Sequence, residues 1–210
     1  PQAGKPDTDR SRGLGVCIRD SHRIVFPQYD QPSSALVRMY LGGEFGGSPG
    51  DVNPYASSSF YAVDRFASYR KVWGEYYQAG GLVLADRYTT SNAVHQAGKL
   101  PPGQWEEFFR WLYDFEFRRL GLPVPDRVIY LDMPIEVSQK LLLERYHGDD
   151  GKKDIHENHL EFLRSCEECA RFAVELLGWQ VIPCAKEGQP LPVEEIHRAV
   201  LAAVTETLTV

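Results

Sequence analysis

An aspartate and an arginine, Asp86 and Arg87, directly follow the apolar run Leu82–Ala85. The fork of an arginine side chain can donate two parallel hydrogen bonds to a phosphate, and a carboxylate beside it can hold that arginine or a hydrated Mg²⁺ ion. An ordinary ion pair that caps the following helix would use the same two residues. The pattern therefore indicates either a phosphate site or a structural ion pair.

Two further patterns combine polar and aromatic side chains at helical spacing. Asn92, His95 and Gln96 stand at i, i+3 and i+4, so they share one face of a helix and can point at one ligand. Tyr61 and Arg65 lie one helical turn apart, and an aromatic ring beside a forked donor suits a flat base with exocyclic oxygens. A solvated polar face and a core aromatic are the structural alternatives.

The elements that position these residues alternate between strands and helices. The predicted strands are His22–Phe26, Leu82–Ala85, Val128–Leu131 and Gln180–Pro183. The predicted helices are Ser33–Leu41, Asn53–Gln78, Thr90–Ala97, Pro102–Leu120, Ile135–Arg145, His156–Leu177 and Val193–Thr207. This order predicts an α/β fold, a doubly wound parallel sheet with helices on both faces. Ligands of such sheets bind at the carboxyl ends of the strands, so the polar residues after the first three strands should open onto one crevice.

Length and composition limit the possible classes of protein. A chain of 210 residues with 43% hydrophobic residues suits one domain over residues 1–210. The net charge of −6 argues against a chain-wide attraction to nucleic acid or an anionic membrane. No apolar stretch is long enough to span a membrane and no export signal is visible, so we expect a cytoplasmic protein. The polar, glycine-rich stretch 146–155 predicts a mobile lid.

Four cysteines, at positions 17, 166, 169 and 184, are too few and too scattered for a disulfide framework, so we expect free thiols. Cys166 and Cys169 have the C-x-x-C spacing of metal and redox sites. They lie inside a helical pattern, and no second pair or histidine cluster completes a zinc site. The role of this pair stays open at this point.

The motifs taken together resemble the thymidylate kinase family, in order, spacing and placement on strands and helices. The resemblance covers about His22 to Trp179, and it implies a P-loop nucleotide kinase-like fold. The residues that carry it are Phe26-Pro27, Tyr61-Ala-Val-Asp-Arg65, Asp86-Arg87-Tyr88-x-x-Ser91-Asn92-x-x-His95-Gln96, Pro125-Asp126-x-x-Ile129-Tyr130-Leu131-Asp132-x-Pro134 and Arg145.

The resemblance implies a role for each matching residue. Tyr61 would stack on thymine, and Arg65 would read a base oxygen. Arg87 would hold the monophosphate as a catalytic residue, with Asp86 near the metal and the phosphates. Phe26 would form a wall of the nucleoside pocket.

The other implied residues line the sugar and base or cover the phosphates. The base and sugar would be lined by Ser91, Asn92, His95 and Gln96. The basic lid region, which closes over the transferring phosphoryl group and binds ATP, would contain Arg145, Lys152 and Lys153. His95 stands where many members carry a tyrosine near the sugar, which leaves discrimination against a ribose 2′-hydroxyl open.

The N-terminal segment, residues 1–21, departs from the family pattern. A phosphate loop needs glycines, a lysine and then a serine or threonine. Here Gly4 and Lys5 are followed by Pro6, and Thr8 is the nearest hydroxyl. Either these residues are a relic of the ATP-binding loop or the match is chance, so the first strand and phosphate loop are degraded or missing. We expect that the chain begins inside the natural domain or that residues before about Ser21 come from an altered reading frame.

The resemblance implies an enzyme that transfers a phosphoryl group from ATP to dTMP, giving dTDP. It also implies Mg²⁺ as a cofactor and a homodimer, with no nucleic acid or membrane as partner. The alternatives are a kinase for another nucleoside monophosphate and a catalytically impaired nucleotide-binding homologue. A missing first strand would leave its neighbours without a partner, so the segments at Val25 and Leu84 should pair with each other or leave a gap.

Overall fold

The computed structural model describes residues 21–145 and 159–208. Four strands of four residues each lie within one residue of the predicted runs. They are β1 (His22–Val25), β2 (Val83–Asp86), β3 (Ile129–Asp132) and β4 (Gln180–Pro183). A short antiparallel hairpin of β5 (Ala185–Lys186) and β6 (Gln189–Pro190) was not predicted, because two-residue strands are too short to show an alternating pattern.

The helices also agree with the prediction, and each boundary that differs moves by a few residues. They are α1 (Ala35–Leu41), α2 (Pro54–Ser68), α3 (Gly74–Gln78), α4 (Thr89–Ala97), α5 (Trp105–Tyr113), α6 (Ile135–Arg145), α7 (Leu160–Leu177) and α8 (Val193–Leu208). Short 3₁₀ turns at Pro32–Ser34 and Pro102–Gln104 precede α1 and α5. Two π-helical segments, Tyr69–Trp73 and Asp114–Arg119, continue α2 and α5. None of the helices within the described ranges is long and apolar enough to cross a bilayer.

The long strands form two parallel pairs. β1 pairs with β2, with Val25 opposite Asp86, and β3 pairs with β4, with Asp132 opposite Pro183. The expected direct pairing between the segments at Val25 and Leu84 is therefore confirmed. Within the described ranges no ladder joins β2 to β3, so the predicted parallel pairing is present in two halves rather than in one continuous sheet.

Helix α2 begins with strong local signals and packs against α4 through small side chains. The Asn53 side chain accepts a hydrogen bond from the Ala56 amide at 2.9 Å, and Pro54 occupies the first helical position. Ser57, Ser58 and other small residues of α2 are buried. Because these side chains are short, α2 and α4 approach closely, and polar groups of the two helices meet.

The main core lies among α4, α5 and α7. Phe108, Phe109 and Leu112 of α5 pack with Cys169 and Ala173 of α7. A second cluster joins the two strands β1 and β2 to the helical layer and consists of Ile24, Phe26, Trp73 and Tyr88. Helix α4 begins three residues after the end of β2 and packs against α2, α5 and α7.

The described cysteines are buried and unpaired, as expected. Cys166 and Cys169 lie in α7, and burial raises the pKa of the Cys166 thiol to about 12. Thiolates are the form that binds metals and attacks disulfides. The C-x-x-C spacing of Cys166 and Cys169 is therefore accounted for by the packing of α7, in which both are buried.

Candidate functional site

The end of β2 carries an exposed arginine in an unusual backbone conformation. Arg87 has a φ of 65°, in the left-handed region that side-chain-bearing residues rarely adopt. Holding a residue other than glycine there costs about 1 to 2 kcal/mol. Within the described ranges no ion pair or hydrogen bond is recorded for the Arg87 guanidinium, and the residue is exposed.

The residues on either side of Arg87 are held in place. The carboxylate of Asp86 accepts a hydrogen bond from Nη2 of Arg23 at 3.0 Å, so its ion pair is with Arg23 and not with Arg87. Tyr88 is buried and its hydroxyl donates to the Pro123 carbonyl at 3.0 Å. Burial raises the pKa of the Tyr88 hydroxyl far above its ordinary value, which keeps this donor protonated. These contacts fix the backbone on both sides of the arginine.

Arg65 is not at the surface but forms a buried ion pair with Glu116. Nε and Nη2 of Arg65 donate to the two carboxylate oxygens at 2.7 and 2.5 Å. The side chains are 2% and 0% exposed, so the pair is shielded from water. The Thr89 hydroxyl donates to the same carboxylate at 2.7 Å. Glu116 thus links α2 to the start of α4, two residues after Arg87.

Sequence reasoning missed Glu116, although the chain holds a signal. Trp105, Phe109 and Leu112 form the buried stripe of α5, and Glu116 continues that stripe one turn later. A carboxylate on the apolar side of a helix is buried only when it is paired. The pairing partner, 51 residues away, could not be found from local spacing.

The residue before Arg65 also acts as an anchor. Asp64 is 1% exposed and accepts hydrogen bonds from the Gln28 amide at 2.8 Å and the Ser33 hydroxyl at 2.6 Å. It fixes the loop after β1. Phe26, which precedes this loop, is buried with its ring tilted against Tyr88 at a centroid distance of 6.1 Å.

Tyr61 is half-buried and contacts Tyr40 edge to face, with ring centroids 6.4 Å apart. It lies one turn before Arg65 and one turn after Ser57, so these three residues form a stripe along α2. Ser57 and Arg65 are buried at opposite ends of that stripe. Ser57, at one end of the stripe, contacts Gln96 of α4.

The polar residues predicted to share a face of α4 do so, and this face is turned inward. Asn92 donates to the Ser58 carbonyl at 3.3 Å, and Gln96 accepts from the Ser57 hydroxyl at 2.6 Å. Asn92 and Gln96 are 3% and 1% exposed. The alternative of a solvated polar face is therefore wrong. Ser91 and His95 of the same helix are half-buried.

The chain is similar to thymidylate kinases in sequence. No protein-family model matches it. A thymidylate kinase of Mycobacterium tuberculosis is 31% identical over 140 residues, which are 66% of this chain and 64% of the relative. A probable thymidylate kinase of Caldivirga maquilingensis is 25% identical over 138 residues, 66% of this chain and 60% of the relative.

The chain is thus similar to thymidylate kinases over 66% of its length. It spans slightly less than two thirds of the length of these curated relatives, 64% and 60%. A solved structure of thymidylate kinase from Candida albicans superposes with a TM-score of 0.61 at 14% identity, over 90% of this chain and 81% of that chain. This likeness confirms the predicted P-loop nucleotide kinase-like fold.

The remaining residues that the thymidylate kinase resemblance implied fall outside the helix interface or outside the described ranges. Arg145 is the exposed last residue of α6. Gly4, Lys5, Thr8, Lys152 and Lys153 lie outside the described ranges. The predicted lid at 146–155 and nearly all of the segment 1–21 lie there too.

Asp86 is the residue whose geometry can be compared with the requirements of a Mg²⁺ ion. Mg²⁺ is usually held by one or two carboxylates together with substrate phosphates and waters. Within the described ranges no group of three His, Cys, Asp or Glu residues could hold a metal on its own. Asp86 has 54% of its side chain exposed at the carboxyl end of β2. A single accessible carboxylate fits this kind of site, in which Asp86 would be the protein ligand.

Proposed function

We propose that this chain is an enzyme of the thymidylate kinase family and transfers a phosphoryl group from ATP to dTMP, giving dTDP. The observation that carries the proposal is a hydrogen-bonded polar interface between α2 and α4 that lies close to Arg87, an arginine that pairs with none of the described residues. Arg65, Asn92 and Gln96 lie in this interface, and Arg87 lies two residues before Thr89, which bonds to the Arg65 partner Glu116. A nucleoside monophosphate has the matching chemistry, a polar base edge at one end and a phosphate at the other.

The base end of the proposed site requires rigid donors. The two hydrogen bonds to Glu116 fix the plane of the Arg65 guanidinium, so its remaining N–H groups keep one direction. Tyr61, on the same stripe of α2, supplies an aromatic face for stacking. Asn92, His95 and Gln96 line the same side of α4. Carbonyl oxygens of a thymine base would accept from these donors.

The phosphate end of the proposed site depends on Arg87. Its guanidinium would hold the monophosphate of dTMP in line for attack, and catalysis by such positioning lowers the barrier through orientation and charge stabilisation. The left-handed backbone at Arg87 is accounted for by this task, since strain concentrates at functional positions. Asp86 would help to hold a Mg²⁺ ion, which would supply positive charge beside the phosphates.

The ATP side of the proposal rests on the family pattern. Arg145 is proposed to close over the phosphates with Lys152 and Lys153. Gly4, Lys5 and Thr8 are proposed to contact ATP. Arg145, the described member of this set, lies exposed at the end of α6, where a basic side chain also complements the negative end of the helix dipole.

We also propose that the chain forms a homodimer through α2. Val63 and Phe66 of α2 and Val72 of the following π segment are exposed large apolar side chains. A second copy would cover them while leaving the stripe with Tyr61 and Arg65 facing α4. Sedimentation of the purified chain tests this, and a monomer at about 10 μM would contradict it.

The test of the catalytic proposal measures ADP release from ATP with dTMP, dUMP, CMP and thymidine as acceptors. We expect dTMP to have the highest kcat/KM. Arg87→Met should abolish the preference for dTMP over thymidine, which lacks the phosphate. Arg118→Met, at an arginine whose side chain is 83% exposed on the π segment, is the matched control. If another acceptor is best, the base assignment is wrong. Binding of dTMP without turnover would identify a catalytically impaired homologue.

A further inference from the structure

A lysine at the end of α4 is drawn into the same helix interface. The Lys99 Nζ donates to the Val52 carbonyl at 3.0 Å and to the Ser57 hydroxyl at 3.1 Å. It also lies 4.8 Å from the centre of the Tyr40 ring. An ammonium group has three donors and no acceptor. Ser57 must therefore accept from Lys99 while the lysine is charged.

The direction of the next hydrogen bond follows from its length. Ser57 Oγ lies 2.6 Å from Gln96 Oε1. This distance is ordinary for O–H···O and short for N–H···O, whose range begins near 2.7 Å. The Ser57 hydroxyl also lies 3.0 Å from the Asn53 carbonyl and 3.4 Å from the Pro54 carbonyl, and the Gln96 carbonyl oxygen is the nearest of its three acceptors. The hydroxyl therefore donates to Gln96, and turning the amide around would give a poorer contact. Lys99, Ser57 and Gln96 form a chain of donors that runs in one direction.

The last group in this chain of hydrogen bonds is the side-chain nitrogen of Gln96, which is a hydrogen-bond donor. Gln96 is 1% exposed, and its Nε2 has no hydrogen-bond partner within the described part of the protein. Leaving a buried donor unsatisfied costs about 1 to 3 kcal/mol. Such a cost is tolerated where a ligand supplies the missing acceptor, and Gln96 stands one turn from Asn92 on the proposed base-binding face of α4.

We propose that Lys99 is a positioning residue for base recognition, because its hydrogen bond to Ser57 fixes the Gln96 amide with the nitrogen directed at a pyrimidine carbonyl oxygen. The proposal rests on the dTMP site described above and deepens it. Lys99 touches no substrate atom. Through Ser57, it determines whether the nitrogen or the oxygen of the Gln96 amide is directed at the base.

The protonation state of Lys99 gives the chain a pH dependence. Burial lowers the pKa of Lys99 to about 7. Below that pH the ammonium can only donate, whereas the neutral amine can also accept from Ser57, which frees the Gln96 carbonyl. The titratable groups that face Lys99 are Tyr40 on α1 and Cys166 on α7. His159 and Glu161, at the start of α7, share with Lys99 a cleft of about 630 Å³.

Thymidine is the probe for the binding test, because the phosphate of dTMP itself titrates near pH 6. At about pH 6, Lys99→Met and Ser57→Ala should each weaken thymidine binding by about tenfold in calorimetry, the effect of one lost ligand hydrogen bond. With dTMP, the same variants should raise KM and leave kcat unchanged. Lys186→Met, at an exposed residue of β5, is the control and should change neither.

The pH profile separates positioning from simple packing. Wild-type affinity for thymidine should fall as the pH rises from about 6 to about 8.5, across the Lys99 titration. The Lys99→Met variant keeps the length of the side chain but cannot titrate, so its profile should be flat. A wild-type profile as flat as that of Lys99→Met would overturn the proposal.

A readout without any nucleotide keeps the two proposals distinguishable. The side-chain amide signals of Gln96, assigned by their loss in Gln96→Glu, should shift in NMR spectra of Lys99→Met and Ser57→Ala but not of Lys186→Met. Unshifted signals in both variants overturn the chain of hydrogen bonds. If they shift and the wild type binds neither thymidine nor dTMP, the chain of hydrogen bonds stands and the proposed substrate falls.

Discussion

Arg65 and Glu116 meet inside the protein as a two-pronged ion pair, although 51 residues separate them in the sequence. Two hydrogen bonds fix both the position and the plane of the guanidinium. A third hydrogen bond, from the hydroxyl of Thr89 at the start of α4, also holds the Glu116 carboxylate. The side chain proposed to read the base is thus tied to the segment that carries Arg87, the residue proposed to bind the phosphate.

Replacing Glu116 by glutamine should destabilise the fold and impair dTMP binding together. The substitution keeps the shape of the side chain but leaves the Arg65 charge buried without compensation, which costs about 3 to 5 kcal/mol. Urea unfolding measures the loss of stability, and the KM for dTMP measures the loss of orientation. Glu107→Gln, at an exposed glutamate of α5, is the control. Equal stability of the two variants would contradict a structural role for the pair.

The Thr89 hydroxyl should contribute about 1.5 to 3 kcal/mol to stability, because its hydrogen bond goes to the charged Glu116 carboxylate. Thr89→Val removes the donor and keeps the branched shape, so the unfolding free energy should fall by that amount. Thr90→Val alters the neighbouring, half-buried threonine and should have little effect. If Thr90→Val is destabilised more than Thr89→Val in the same urea titration, the hydrogen bond from Thr89 does not have this stabilising role.

Local patterns predicted most of the fold because each strand and helix carries its own signal. The run at Gln180–Pro183 is a strand with the predicted bounds, and Ile135–Arg145 is a helix with the predicted bounds. The helix predicted at Asn53–Gln78 contains a π-helical segment, Tyr69–Trp73. A π segment keeps a helical apolar pattern, so periodicity does not show it.

The site was predictable where the spacing is local and not where partners are distant. Asn92 and Gln96 share a face because they are four residues apart. The ion pair of Asp86 with Arg23 spans 63 residues, and the bond from Lys99 to Ser57 spans 42. Which distant polar groups meet is decided by the pairing of β1 with β2 and by the packing of α2 on α4. No pattern within one segment of the chain encodes that packing.

Arg87 offers a test of strain against function. Arg87→Gly and Arg87→Ala both remove the guanidinium, so both should lower kcat/KM for dTMP by about 100-fold or more. Only glycine adopts a φ of 65° without steric cost. The glycine variant should therefore be about 1 kcal/mol more stable than the alanine variant in urea unfolding. An alanine variant at least as stable as the glycine variant would show that the backbone there is unstrained.

Burial of Lys99 should make stability depend on pH with a definite sign. The pKa of this lysine is lowered to about 7 in the folded chain, while an unfolded lysine titrates near 10.4. Between these values the unfolded chain binds one proton more, so wild-type stability should rise with pH by at most about 1.4 kcal/mol per unit. The stability of Lys99→Met should not show this rise with pH, because methionine does not titrate.

Buried cysteines act in the opposite direction and must be separated from the lysine effect. Burial raises the pKa of the Cys166 thiol to about 12, whereas unfolded thiols ionise near 8.5, so stability falls above that pH. Both the wild type and Lys99→Met contain these thiols, and the difference between their unfolding free energies cancels the thiol contribution. That difference, measured by urea unfolding at about pH 7, 8 and 9, should grow steadily in favour of the wild type, because only the wild type gains from releasing the Lys99 proton on folding. A constant difference would mean that Lys99 keeps its ordinary pKa in the folded chain.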